Sequence, residues 1–317
     1  MKITEYFKNT KDTLFTFELL PPLKGTSIES IYNIINQLTE FKPPYVNVTY
    51  HREELVYKKR NDGLLEPFVV RKRPGTVGIT AAIQTKYKME VVPHIICGGF
   101  TKEETENALI DLDFLGVENI LLVRGDIEKD TGTFKPKPGG HEHTTELISQ
   151  VADMNNGKYL DEKLVNTIPT KFSIGVAGYP EKHDEAPNME CDLFYLKKKV
   201  EAGAEYIVTQ MFFDNKKYFD FVKASRKAGI TIPIIPGLKP VSLMRHINIL
   251  PKVFHIDLPA DLATEIRKCK DNKSVREVGV EWAIEQSKEL KAANVPVIHY
   301  YTMGKSDNIA KIAKAIF

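Results

Sequence analysis

Glu18 closes an apolar run, Leu14-Phe15-Thr16-Phe17-Glu18-Leu19-Leu20, and the diproline Pro21-Pro22 turns the chain just past it. A carboxylate set among aromatic and aliphatic side chains is poorly solvated, which disfavours its charged form and raises its pKa. Such an acid still carries a proton to hand over near neutral pH. A half-exposed Glu on a strand edge is the plain alternative. Arg124-Gly125-Asp126 is the densest second candidate, because a glycine permits close backbone approach between a donor fork and an acceptor. An internal Arg–Asp pair in a loop explains that tripeptide equally well. His94 follows a proline and His183 stands four residues after Tyr179, but no acidic or Cys partner lies at metal spacing. Neutral hydrogen-bonding histidines and no metal are therefore expected.

These groups need a frame to bring them together. Apolar, β-branched runs at residues 14–19, 45–50, 91–96, 119–125, 172–178, 206–211, 232–237 and 295–301 alternate with amphipathic stretches along the chain. Most are nearly continuous in Val, Ile, Leu and Phe, as parallel strands covered on both faces require. Thr101 and Glu104 fit a capping box ahead of Leu109, and Gly203 can end the helix that opens near Asp192. Repeated βα units of this number predict an α/β fold, a single (β/α)₈ TIM-type barrel over residues 1–317, with a doubly wound open sheet as runner-up. Two long connections stand out. Residues 127–171, Gly- and Lys-rich at 132–140, are expected to hold a flexible flap and then a helix, and 238–294 one or two extra helices.

In a barrel the active site is built from the carboxyl ends of the strands. Those ends supply Glu18; Thr49 and Tyr50; His94; Arg124, Gly125 and Asp126; Tyr179 and then His183; Thr209 and Gln210; Pro236 and Gly237; and His299, Tyr300 and Tyr301. Polar groups at nearly every end mark a site rather than an inert rim.

Composition narrows the partners. A net charge of +2 offers no global field for nucleic acid, and no apolar run is long enough to span a bilayer. The first residues lack the apolar stretch of a secretory signal, so a cytoplasmic protein is expected. Cys97, Cys191 and Cys269 are far apart and odd in number, which reads as reduced thiols. Neither a G-x-G-x-x-G after the first strand nor a phosphate-binding P-loop occurs, so a nucleotide cofactor would have to bind another way. Lys198 and Lys199, on the helix opening near Asp192, can offer cations to a pyrophosphate; a solvated helix face is the alternative.

Together these strand ends resemble the bacterial flavin-dependent methylenetetrahydrofolate reductases over essentially the whole chain. The carriers are Phe17-Glu18-Leu19-Leu20-Pro21-Pro22, Val48-Thr49-Tyr50, Pro93-His94, Leu122-Val123-Arg124-Gly125-Asp126, Ala177-Gly178-Tyr179-Pro180-Glu181-Lys182-His183, Ala202-Gly203-Ala204, Thr209-Gln210-Met211-Phe212-Phe213-Asp214, Ile235-Pro236-Gly237 and His299-Tyr300-Tyr301-Thr302. The resemblance implies a barrel holding FAD, reduced by NAD(P)H and reoxidised by methylenetetrahydrofolate in a ping-pong sequence. Glu18 would protonate the folate so that its five-membered ring opens to an iminium ion. A rise of about two pH units in its pKa would cost about 2.7 kcal/mol. Asp126, held ionised by Arg124, would steady the cation.

By the same resemblance the FAD contacts are Thr49, Tyr50, His94, Arg124, Gly125, Asp126, Thr144, Tyr179, His183, Asp192, Tyr195, Lys198 and Lys199. Gln210, Asp126, Tyr301 and Lys305 would touch the substrates, Gln210 meeting folate and nicotinamide in turn. The sequence departs from the family pattern at Tyr195 (for Asn), Lys198 (for Arg), Thr144 (for Ala) and Arg52 (for Ala). Leu250 stands where an aromatic would pack on the substrate, and Lys305 where an Arg would hold the folate glutamate, so altered tail recognition is expected. A homo-oligomer is implied, and the end at Phe317 implies none of the regulatory domain that eukaryotic relatives append. Another flavin oxidoreductase, a barrel glycoside hydrolase using Glu18 and Asp126, and a non-catalytic folate or flavin binder remain as other readings.

Overall fold

Period-two alternation in the first strand sets the frame of the computed structural model, which describes residues 1–10, 12–127 and 132–317. Phe15, Phe17 and Leu19 join the large core beneath the helices, so Thr16 and Glu18 are left on the opposite face, toward the barrel axis. The strands are β1 (Leu14–Leu19), β2 (Tyr45–Val48), β3 (Glu54–Lys59), β4 (Leu65–Val70), β5 (Glu90–Ile96), β6 (Asn119–Val123), β7 (Ser173–Gly178), β8 (Tyr206–Thr209), β9 (Ile234–Ile235), β10 (Gly237–Leu238) and β11 (Val297–Tyr301). All the expected strands form. The helices are α1 (Ile3–Asn9), α2 (Glu29–Leu38), α3 (Thr76–Tyr87), α4 (Lys102–Phe114), α5 (Thr144–Asn155), α6 (Met189–Glu201), α7 (Asn215–Lys227), α8 (His246–Phe254), α9 (Ala260–Lys268), α10 (Asn272–Ala292) and α11 (Asp307–Ile316).

The sheet runs β10-β11-β1-β2-β5-β6-β7-β8-β9, parallel throughout. Its two ends are halves of one stave, because Pro236 lies between β9 and β10 and carries no N–H for the ladder. β9 bonds to β8 and β10 to β11, and the His299 amide donates to the Pro236 carbonyl at 3.0 Å, so the eight-stave ring closes. The barrel is borne out, and the open doubly wound sheet is not.

The interior is layered. Tyr45, Val92, Leu121, Tyr206, Val208, Ile235 and Val297 fill it around Ile3 of α1, whose amide donates to the Asn119 side chain at 2.8 Å. Thr16, Asn47, His94 and His299 are buried polar groups of the same strands. The capping box at Thr101 and Glu104 forms, and Gly203 at φ 127° follows the end of α6.

The connection 127–171 holds α5 as expected; residues 128–131 of its flap lie outside the described residues. In 238–294, α8 and α9 are the extra helices and α10 the regular crossover. The polar stretch after β2 is an antiparallel hairpin, β3–β4, turning at Asp62-Gly63 with Gly63 at φ 84°. Leu55, Tyr57, Leu65 and Val69 on it are exposed.

Candidate active site

Glu18 sits level with Tyr301 of β11 on one side and Asn47 of β2 on the other. Its backbone is fixed by Thr302, whose hydroxyl donates to the Glu18 carbonyl at 2.7 Å. The carboxyl itself, 13% exposed, lies near His94, with Oε2 and Nε2 3.9 Å apart, and makes no hydrogen bond among the described residues. Desolvation without compensating donors pushes its pKa up to about 8. That exceeds the rise expected from the sequence.

Its neighbours are neutral. Burial, with His299 and His51 nearby, lowers the His94 pKa to about 3, and burial holds His299 at about 3. Asn47 Nδ2 lies 3.1 Å from His94 Nε2, and Thr16 Oγ1 lies 3.0 Å from His299 Nδ1. The Tyr301 hydroxyl donates to the Thr209 carbonyl at 2.5 Å, and its pKa is raised well above the ordinary phenol value, first by burial and then by Glu18. A protonated acid thus sits among uncharged groups.

The raised pKa has a signature in stability. Below pH 4.5 the carboxyl is protonated folded and unfolded alike; between 4.5 and 8 only the unfolded chain releases the proton, so stability falls as pH rises. Glu18→Gln removes this loss. Its Tm is expected to match the parent's near pH 4.5 and to exceed it by several degrees at pH 8, at about 2 °C per kcal/mol for a chain of this size. Calorimetry at both pH values checks it; a constant offset would mean the carboxyl is not buried.

Across the mouth, Gly125 turns the chain after β6 at φ 94°. This separates Arg124 from Asp126, and the expected pairing between them is not formed. Arg124 binds Glu185 instead, Nη1 to Oε2 at 2.6 Å, with its guanidinium 4.8 Å from the Phe134 ring of the flap. Asp126 is exposed and makes no hydrogen bond or ion pair among the described residues, though its charge is felt at His51 and Tyr179.

A second cluster follows β7. The Tyr179 and His183 rings meet edge to face at 4.7 Å, the His183 amide donates to Asp192 at 3.1 Å, and Lys199 Nζ donates to the Ala177 carbonyl at 3.2 Å. Burial lowers the Lys199 pKa and raises that of Asp192. Thr144 opens α5 and is buried beside Cys97, whose thiol burial pushes up to about 12. Thr49 Oγ1 lies 3.2 Å from His51 Nε2, while the Tyr50 hydroxyl accepts from Arg71 at 2.9 Å and its ring packs on Phe100.

Three expected residues stand apart from these clusters. Tyr195 and Lys198 are exposed on α6, with Lys198 over the Phe194 and Tyr195 rings. Lys305 is exposed in the loop after β11. Leu250, where the family pattern has an aromatic, is 2% exposed inside a core of Met211, Phe213, Val241 and Ile256. The sequence reading missed Glu185, although an acidic doublet directly after His183 was the available signal, and it stopped two residues short of Lys239.

The family model for methylenetetrahydrofolate reductase matches residues 2–316. The chain belongs to the methylenetetrahydrofolate reductase family. The Escherichia coli 5,10-methylenetetrahydrofolate reductase is 30% identical over 293 residues, covering 92% of this chain and 86% of that protein. A Caenorhabditis elegans protein named as a probable methylenetetrahydrofolate reductase (NADPH) is 29% identical over 96% of this chain, but only 42% of its own length is matched. The chain spans less than half of that relative and of its plant counterpart in Arabidopsis thaliana. Among solved structures, a Clostridium thermocellum protein described as binding two copies of 5-methyl-5,6,7,8-tetrahydrofolic acid superposes with a TM-score of 0.59 at 14% identity, covering 99% of this chain and 98% of that one. That likeness bears on the fold.

Proposed function

We propose that this chain reduces 5,10-methylenetetrahydrofolate to 5-methyltetrahydrofolate with electrons from NAD(P)H, by a ping-pong sequence on bound FAD, feeding methionine synthesis in the cytoplasm. The observation that carries the reading is the Glu18 carboxyl, whose pKa burial raises to about 8 and which makes no hydrogen bond among the described residues. Methylenetetrahydrofolate needs such an acid. The proton passes from Glu18 to a nitrogen of the five-membered ring, the bond from that nitrogen to the one-carbon unit breaks, and the carbon is left as an iminium cation. His94 is neutral and Tyr301 keeps its proton, so neither draws the proton from Glu18 before the substrate arrives.

The donor set fits a flavin dinucleotide. Arg124 and Lys199 offer cations suited to a pyrophosphate, Tyr50 and Tyr179 offer aromatic faces, and Thr49, His94, His183 and Thr144 offer neutral polar atoms. When bound, FAD supplies the hydride that completes the methyl group. Asp126, exposed and with its charge felt at Tyr179, is the carboxylate available to the cationic substrate, and Gln210, next to the Tyr301–Thr209 contact, can serve folate and nicotinamide in turn. Lys198, Tyr195 and Lys305 belong to the outer rim, where they would meet the dinucleotide tail and the folate glutamate. The exposed apolar side chains of the β3–β4 hairpin support a homo-oligomer, since patches of this kind are commonly covered by association.

Purified protein is expected to be yellow, to bleach anaerobically with NADH or NADPH, and to recolour with methylenetetrahydrofolate. A colourless preparation that also ignores added FAD would overturn the reading. Bleaching that menadione reverses and folate does not would point to another flavin oxidoreductase.

A further inference from the structure

Lys239, on the stave next to Tyr301, is largely buried and has no hydrogen bond or ion pair among the described residues. Ile235 belongs to the inner packing and Leu238 to the outer core, while the Cβ position of Gly237 faces the Tyr301 ring. Alternation along this stave therefore turns Lys239, like Ile235 and Gly237, toward the barrel axis. The register pairs Leu238 with Tyr300, which carries Lys239 to the level of Tyr301, and Tyr301 is level with Glu18. The backbone positions of Glu18, Tyr301 and Lys239 thus follow one another across neighbouring staves, with the Lys239 charge felt at His246.

Lys239 is 7% exposed. Its ammonium makes no hydrogen bond or ion pair among the described residues, and burial alone lowers its pKa to about 8. The titratable group that senses it is His246 at the start of α8, and that ring is also near Arg245. His246 cannot serve as a counter-charge: its Nδ1 accepts from the Ser242 amide at 3.3 Å, and its pKa falls to about 4, so it is neutral. Holding a lysine in a largely buried position without a counter-charge lowers stability. An aliphatic side chain would fill the position more cheaply, so the charge is explained by a partner that arrives with the ligand.

Resting on the reductase reading above, we propose that Lys239 is a specificity-determining residue that binds an anionic group of the substrate in the mouth, a carboxylate or phosphate. Both substrates of that reaction carry such groups, glutamyl carboxylates on the folate and a pyrophosphate on the nicotinamide dinucleotide. The long, flexible lysine stem suits a point charge that serves different anions in turn.

The test uses the flavin-loaded full chain carrying Lys239→Met or Lys239→Arg. Three half-reactions are followed by stopped flow: flavin reduction by NADH or NADPH, reoxidation by methylenetetrahydrofolate, and reoxidation by menadione, an uncharged reference acceptor. Lys239→Met is expected to raise the half-saturation concentration of at least one anionic substrate about tenfold relative to menadione, with Tm equal to or above the parent's. Lys239→Arg should restore most of the loss. Added salt should weaken that substrate's binding to the parent and leave the Met variant insensitive. A defect confined to folate assigns the carboxylate, one confined to NAD(P)H the pyrophosphate, and one in both a shared anchor. Half-saturation values within twofold of the parent for both substrates overturn the proposal, as does parallel loss in all three reactions with a lowered Tm. A parent protein that never bleaches removes the functional reading itself, which keeps the two failures apart.

Discussion

Glu18→Gln is expected to leave flavin reduction by NAD(P)H within about threefold of the parent and to slow the folate half-reaction by about 10²- to 10⁴-fold, the span that general acid catalysis commonly supplies. The amide matches the carboxyl in size and has no proton to give. Little in the site should rearrange around it, because the Glu18 carboxyl makes no hydrogen bond among the described residues and its backbone is held independently by Thr302. In the parent, the folate step should fall as pH rises past about 8, where the acid ionises. Flavin reduction should lack that limb. Stopped-flow measurement of the two half-reactions across pH separates them, and equal losses in both would show that Glu18 supports the site without donating the proton.

The environment makes this acid as much as the residue does. A cation beside Glu18 would favour the carboxylate and pull its pKa down. The strands instead present His94, His299, Asn47 and Tyr301, all uncharged, and place the cations Arg124 and Lys199 in clusters after β6 and β7. Lys239 is the exception on the Glu18 rung, one stave beyond Tyr301. Glu18 shows no response to its charge, its shift arising from desolvation alone. Keeping the acid uncharged while offering a cation to the substrate is therefore a matter of spacing across the sheet.

The strands were legible because parallel staves covered on both faces must be nearly continuous apolar runs, and the site was legible because those runs end in polar residues. What escaped the reading depends on contacts between distant segments. The Arg124 to Glu185 pair joins two loops, and sequence proximity pointed wrongly to Asp126. The β3–β4 hairpin was hidden by its basic residues, although Asp62-Gly63 between apolar alternations was a usable turn signal. The burial of Leu250 among Met211, Phe213 and Val241 likewise depends on helices α8 to α10 packing on one another. Lys239 was missed for a simpler reason. The apolar run was taken to end at Gly237, but the alternation continues one step further.

Gly237→Ala should be the most damaging single methyl in the barrel mouth. The new methyl would overlap the Thr209 carbonyl oxygen and stand 2.6 Å from the Tyr301 ring, and the clash with the backbone cannot be relieved by turning a flexible side chain. The same carbonyl accepts the Tyr301 hydroxyl, and the Gly237 amide donates to Thr209 Oγ1 at 3.0 Å, so three groups that close the ring must move together. Overpacking of this kind costs about 3 kcal/mol or more, which corresponds to a Tm lowered by at least about 6 °C. The folate half-reaction should fall further than flavin reduction, because Tyr301 is level with Glu18 whereas Arg124 and Lys199 are anchored on other staves. Tyr301→Phe separates the causes: it loses the hydrogen bond without adding bulk and should keep most of the stability. If Gly237→Ala melts with the parent, the close approach that seals the barrel at Pro236 is not what holds this side of the site.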